Sequence, residues 1–184
     1  YAHESIAEEL TTEIARLADE VQLNYPNIRE GHIGPLIFDQ QAVIIESHIS
    51  DAIDKGATVL TGGSIENHGG GKWIRPTVIR DVDHSMKVMT DETFGPIIPV
   101  MSYSDISEAI HLANDTRYGL SAAVLAGSTE EANEIAQQID AGAVTIQDCG
   151  ATTYVFDGEK NWFKYSGIGA SRMGEMGMLR FFRK

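Results

Sequence analysis

Between residues 97 and 146 the hydrophobic pattern switches back and forth between two periods, and this switching constrains the fold more than any other feature of the chain. Residues 97–103, 121–126 and 143–146 are short apolar runs of strand length. Residues 105–114 and 129–139, lying between them, return apolar side chains at three- and four-residue steps, the repeat of an amphipathic helix. Alternating strands and helices predict an α/β fold with a mostly parallel sheet and helical crossovers. Both helix starts carry a capping pattern, since Asp105 precedes Glu108 by three positions and Ser128 precedes Glu131 by three.

Upstream, Ile6, Leu10, Ile14, Leu17 and Val21 recur at helical spacing among acidic residues, predicting a surface helix that ends near Pro26. A second helix is expected over residues 39–55 through Val43, Ile44, Ser47, His48 and Ala52, with Gly56 at its C-terminal stop. Residues 57–61 and 73–79 read as strands separated by glycine-rich turns. Pro76 has no N–H to give to a ladder, so the second run is expected to be an edge or bulged strand. Past Ile146 the pattern dissolves into Gln147-Asp148-Cys149-Gly150-Ala151-Thr152-Thr153 and then an aromatic, glycine-punctuated tail with a short helical run near residues 175–182.

Composition narrows the function classes. A length of 184 residues with 42% hydrophobic residues suits one well-cored domain plus a tail. The net charge of -13, with no Lys/Arg cluster to interrupt it, repels phosphate backbones and anionic lipid, so neither nucleic acid nor a membrane is an expected partner. No apolar run approaches the roughly 18 residues a membrane helix requires. The single cysteine, Cys149, allows no internal disulfide and fits a reducing, cytoplasmic setting. The six histidines lack paired ligand spacing, so no metal site is expected. The opening Tyr1-Ala2-His3-Glu4-Ser5 runs at once into a helical pattern without an initiator methionine, as a fragment of a longer protein would.

The candidate chemistry begins with Glu92-Thr93-Phe94-Gly95-Pro96. Composition alone makes this an acidic turn leading into a buried strand, and the adjacent carboxylates Asp91 and Glu92 point apart too readily to form an acid/base pair. The turn matches an E-x-F-G-P signature, and a collinear series accompanies it: Gly34-Pro35-Leu36-Ile37, Gly56-Ala57 through Thr61-Gly62-Gly63, Arg75-Pro76-Thr77-Val78, Ala113-Asn114-Asp115-Thr116, Tyr118-Gly119-Leu120, Ala141-Gly142-Ala143-Val144 and Ser166-Gly167-Ile168-Gly169. On these motifs the chain resembles the C-terminal part of the NAD(P)-dependent aldehyde dehydrogenases over nearly its whole length.

That resemblance implies a catalytic-domain-like α/β unit over residues 1–158 and, over 159–184, a tail with a short helix that packs on an N-terminal domain. It implies NAD or NADP as cofactor, with Glu92 accepting hydrogen bonds from the nicotinamide ribose and Phe94 packing near the nicotinamide. A ribose diol offers two donors that one carboxylate can accept together, and a flat apolar ring limits where the nicotinamide can sit. Gly95 and Pro96 would fix the turn.

Cys149 is not the family nucleophile, which lies upstream of the segment resembling residues 1–10; the resemblance places Cys149, Gly150, Ala151 and Thr152 in a loop lining the aldehyde tunnel. The general base and the oxyanion-holding asparagine also lie upstream, so no catalytic residue is expected here. The glycines at 62–63 and 69–71 lack the spacing of a dinucleotide fingerprint and read as turns, leaving the main cofactor cradle elsewhere.

The sequence departs from the family at Gln147, where an asparagine is usual, and at Thr145, which replaces a common aromatic. It departs again at Lys160-Asn161-Trp162-Phe163-Lys164-Tyr165-Ser166-Gly167, where F-G-G-x-K-x-S-G is frequent; Trp162 is read as a packing residue. Family members often continue past the position of Lys184 into a strand that pairs across a subunit interface. The implied parent is a homodimer or homotetramer that oxidises an aldehyde to an acid through a cysteine thioester, with the isolated fragment inactive. The alternatives are a dehydrogenase that acylates coenzyme A or reduces acyl phosphates, and a stand-alone folding or interface module.

Overall fold

A computed structural model describes residues 1–155, 160–167, 174–179 and 182. The chain forms two compact units, Tyr1–Ile106 and Ser107–Lys184.

In the first unit, β1 (Ala2–His3) leads into helix α1 (Glu4–Asp19), where the His3 side chain caps the helix by accepting from the Ser5 N–H at 3.2 Å. The inward face of α1 is not the expected large apolar stripe. Thr11 and Ala18 are buried, whereas Ile6, Leu10 and Leu17 are exposed. Small side chains let the helix lie closer to the strands beneath it.

Helix α2 (Asp39–Asp54) follows, and its buried residues are Ala42, Ile45, His48, Ile49 and Ala52. Val43 and Ser47, expected inside, are exposed, because the inward stripe is rotated from the one read in the sequence. The helix stops as predicted at Gly56, whose φ of +98° suits glycine. Gly56 N–H donates to Ile53 O at 3.0 Å and Ala57 N–H to Ala52 O at 2.9 Å, the paired bonds of a Schellman stop.

The strands β2 (Thr58–Thr61), β3 (Ile65–His68), β4 (Gly71–Ile74) and β5 (Thr77–Arg80) come next. The run at 73–79 is therefore two strands, and the second is no edge: β5 is the centre of a three-stranded sheet, antiparallel to β2 and parallel to β6 (Ile97–Val100), and the irregularity in its ladder with β2 is a register shift on the β2 side between Val59 and Thr61. Pro76 precedes β5 without interrupting its ladder, one of the positions that tolerate proline. The turn expected at Gly69-Gly70 joins β3 to β4; both glycines have positive φ, +56° and +81°, as a two-residue hairpin turn of primed type requires. A short helix α3 (Lys87–Thr90), not anticipated, sits before β6, and β7 (Ser102–Tyr103) pairs in parallel with β1. The core combines Ile45, Ile49 and Ala52 of α2 with Ile74, Ile79, Val82, Met86 and Val88.

The second unit holds α4 (Ile106–Asn114), β8 (Tyr118–Gly119), β9 (Ser121–Val124), α5 (Thr129–Ala136) and β10 (Ala143–Ile146). Strands β9 and β10 are parallel, with α5 as the crossover the sequence predicts. Ser128 caps α5 by accepting from the Glu131 N–H at 3.1 Å. Beyond β10 lie α6 (Ala151–Tyr154), β11 (Phe163–Lys164), antiparallel to β8, and α7 (Gly174–Leu179). Part of the tail expected at 159–184, and Ile168-Gly169 of the motif series, fall outside the described residues.

Candidate functional site

The segment Glu92–Pro96 links α3 to β6 without regular structure. It is nevertheless held at several points. Gln41 Nε2 donates to the Thr93 carbonyl. Thr93 Oγ1 lies 3.0 Å from His48 Nδ1. A Cβ at Gly95 would stand 2.6 Å from Ile45 Cδ1, so only glycine lets the chain pass this close to α2. At the far end, the Thr77 N–H of the central strand donates to the Pro96 carbonyl at 2.8 Å.

Gln41, Ile45 and His48 stand at i, i+4 and i+7 and so share one face of α2. With Thr93 turned toward that face, its neighbours go the other way: Glu92 is exposed and Phe94 is 78% exposed. Phe94 also has φ +47°, in the left-handed region that side chains other than glycine's rarely adopt. An aromatic ring left in solvent on such a backbone costs roughly 1–3 kcal/mol, a cost that surrounding contacts must offset. The turn thus offers a carboxylate and a flat apolar ring on a backbone fixed from behind, a chemistry that suits a hydroxyl-bearing ligand with a planar group.

The electrostatics behind the turn are also set by α2. His48 is 6% exposed, and its pKa is held below the ordinary value chiefly by burial; Asp91 and Asp51 favour the charged ring and Lys87 opposes it. Asp51 accepts from the Lys87 backbone N–H at 2.8 Å and pairs with Lys55 at 2.9 Å. The Lys87 N–H, then Lys55, hold the Asp51 carboxyl below its usual range.

In the second unit the residues expected to line a tunnel on one loop are divided: Cys149 and Gly150 lie on the loop after β10, whereas Ala151 and Thr152 open helix α6. Cys149 is exposed, while Gly150, Ala151 and Thr152 are half-buried. Asp148 Oδ1 accepts from the N–H groups of Gly150 and Ala151 at 2.6 and 2.7 Å, shaping the entry to α6. Gln147 is a two-way clamp: its Oε1 accepts from the Ala126 N–H at 3.0 Å and its Nε2 donates to the Ala126 carbonyl at 2.7 Å. The Thr145 hydroxyl donates to the Asp148 carbonyl, so Thr145 within β10 and Gln147 just beyond it both hold the loop. The half-buried Trp162 covers Gly167, where a Cβ would meet its ring at 2.8 Å, in keeping with a packing role.

The support residues Gln41, Ile45 and His48 were not singled out as site residues from the sequence. A polar pair on the buried side of an amphipathic helix was the available signal. Among the described residues no group of three or more His, Cys, Asp or Glu could hold a metal, and no helix is long and apolar enough to cross a membrane.

The sequence pattern of the aldehyde dehydrogenase family matches residues 1–184. A Mycolicibacterium smegmatis protein named as a succinate-semialdehyde dehydrogenase (NADP+) is 34% identical over 186 residues, covering 98% of this chain and 35% of that protein. Among solved structures, an Anabaena variabilis protein named as the aldehyde dehydrogenase PutA matches with a TM-score of 0.95 and 53% identity, over 98% of this chain and 39% of that one. The aldehyde dehydrogenase of Mycobacterium tuberculosis, complexed with NAD+, matches with a TM-score of 0.89 and 30% identity, over 99% of this chain and 37% of that one. The chain thus spans about a third of the length of the relatives it matches.

Proposed function

The chain belongs to the aldehyde dehydrogenase family, and from that premise we propose that it supplies the ribose and nicotinamide clamp of an enzyme that oxidises an aldehyde to a carboxylic acid with NAD or NADP. The observation that carries this reading is the turn itself: Glu92 and Phe94 face outward from a backbone that α2 and β5 hold at Thr93, Gly95 and Pro96. An exposed carboxylate fits a diol, and an exposed ring fits a planar base, so the residues present suit the cofactor. When bound, NAD or NADP supplies the hydride acceptor. The chain's own contribution is binding and orientation: Glu92 accepts from the ribose hydroxyls and Phe94 restricts the plane beside it. The segment 149–152, a short loop and the start of α6, forms a wall for the aldehyde, and the thioester-forming cysteine, the general base and the oxyanion donor belong to a further part of the enzyme. A lone cysteine is in keeping with a cytoplasmic setting.

The test is Glu92→Gln in a full-length enzyme that carries these residues. Hydrogen bonds to a charged acceptor are worth about 1.5–3 kcal/mol, and the amide keeps one acceptor oxygen, so cofactor affinity should fall about ten-fold. Unchanged steady-state kinetics with both cofactors would overturn the assignment.

A further inference from the structure

We propose that His48, acting through Thr93, is a positioning residue for the cofactor clamp. The inference rests on the reading that Glu92 and Phe94 face the cofactor, and it assigns what makes them do so.

Thr93 is the residue between the two clamp side chains, and α2 grips it twice. Gln41 holds its carbonyl and His48 Nδ1 stands 3.0 Å from its hydroxyl. Thr93 is half-buried against α2 while Glu92 and Phe94 on either side of it are exposed, so the grip on Thr93 fixes the stretch of backbone from which both clamp side chains face solvent. Free rotation at Thr93 would let the carboxylate and the ring exchange directions, and the left-handed backbone at Phe94, φ +47°, would relax.

The choice of residue at position 48 supports the role. The side chain is buried beside Ile45, Ile49 and Ala52, where an aliphatic group would pack without any polar requirement. A buried imidazole is tolerated only when hydrogen-bonded, and among the described residues the partner of its Nδ1 is Thr93 on the clamp. The ionisable groups around it are Asp91 beside the turn, Lys87 on α3 and Asp51 on α2. Burial favours the neutral ring, in which one nitrogen is a donor and the other an acceptor for a hydroxyl that can serve either way.

The test uses a full-length enzyme and measures the dissociation constant of NAD+ and NADP+, together with the aldehyde KM at saturating cofactor. His48→Phe keeps the ring and removes its nitrogens; Thr93→Val keeps the shape and removes the hydroxyl. Each should weaken cofactor binding between about three- and ten-fold, and the double variant should be no weaker than either alone, because both remove one bond. His48→Asn, whose amide can reach the position of Nδ1, should recover most of the loss, and the aldehyde KM should not move. In a Glu92→Gln background, His48→Phe should cost less than it does beside the native Glu92, because part of what His48 positions is already lost. Should His48→Phe fail to fold, Thr93→Val and His48→Asn carry the test, since the first lies on the turn outside the core. Unaltered cofactor affinity in Thr93→Val, or losses that multiply in the double variant, would overturn the positioning role. If Glu92→Gln itself has no effect, the cofactor reading fails; if it weakens binding while His48→Phe and Thr93→Val do not, only the inference about His48 fails.

Discussion

Replacing Gly95 by alanine would place a methyl 2.6 Å from Ile45 Cδ1 and 3.1 Å from its Cγ1. Both distances lie inside the carbon contact optimum of roughly 3.5–4 Å. Ile45 has no exposed surface and packs with Ile49, Ala52 and Ile79, so its terminal methyl can leave only by displacing core neighbours. The alternative is for the turn to lift from α2. Overpacking of this kind costs about 1–3 kcal/mol. Strain that stays in the core appears as lost stability; strain released by lifting the turn appears as lost cofactor affinity, up to about a hundredfold at the upper end. Ile45→Val removes the Cδ1 that clashes, and by itself costs about 0.5–1.5 kcal/mol. Combined with Gly95→Ala it removes the closer of the two contacts and leaves only the Cγ1 contact at 3.1 Å, so the pair should be no worse than Gly95→Ala alone. Denaturation midpoints and cofactor dissociation constants of the four full-length proteins give the coupling directly. Strictly additive losses, or a Gly95→Ala protein unchanged in both measures, would refute the close approach of turn and helix.

Two further outcomes are expected. A buried group whose pKa is depressed on folding contributes stability that is fully present above its unfolded value and is lost as the pH falls through the folded one. For His48 that loss should begin near the ordinary 6.5 and continue below it, and it should shrink in His48→Phe; superimposable stability profiles against pH would show that another group is responsible. Cys149→Ser should retain aldehyde-dependent NAD(P)H production, with its effect confined to the aldehyde KM, because the thiol sits on an exposed loop beyond β10. Complete loss of turnover in a folded protein would make Cys149 the nucleophile.

What the sequence disclosed were features decided by neighbours in the chain. Gly56 ends α2 because a left-handed backbone is needed there, and Ser128 opens α5 because its hydroxyl meets an N–H three residues on. The bounds of β10 are those read from its apolar run. Features decided by distant partners were hidden. Both α1 and α2 carry more than one apolar stripe, and only the sheet beneath selects Thr11 and Ala18 on α1 and Ala42, Ile45 and Ile49 on α2. Pro76 suggested an edge, yet it lies one residue ahead of the most buried strand, whose order follows from pairings with residues 58–61 and 97–100. Glu92 and Phe94 were visible through a motif, but their supports Gln41 and His48 stand 52 and 45 residues from Thr93, beyond the reach of any local pattern.

This separation has an energetic consequence for how the site can vary. One face of α2 serves two purposes, since Ile45 and Ile49 fill the core while Gln41, Ile45 and His48 hold the turn. If the turn is the proposed cofactor clamp, changes on that face should move stability and cofactor affinity together. Glu92 and Phe94 touch solvent, so changes there can alter what is bound without unpacking the core. Ile45 is the point where the two purposes meet, because the same methyl that fills the core also dictates glycine at position 95. Any larger residue at 95 must then be matched by a smaller one at 45, a pairing that packing alone imposes across fifty positions of sequence.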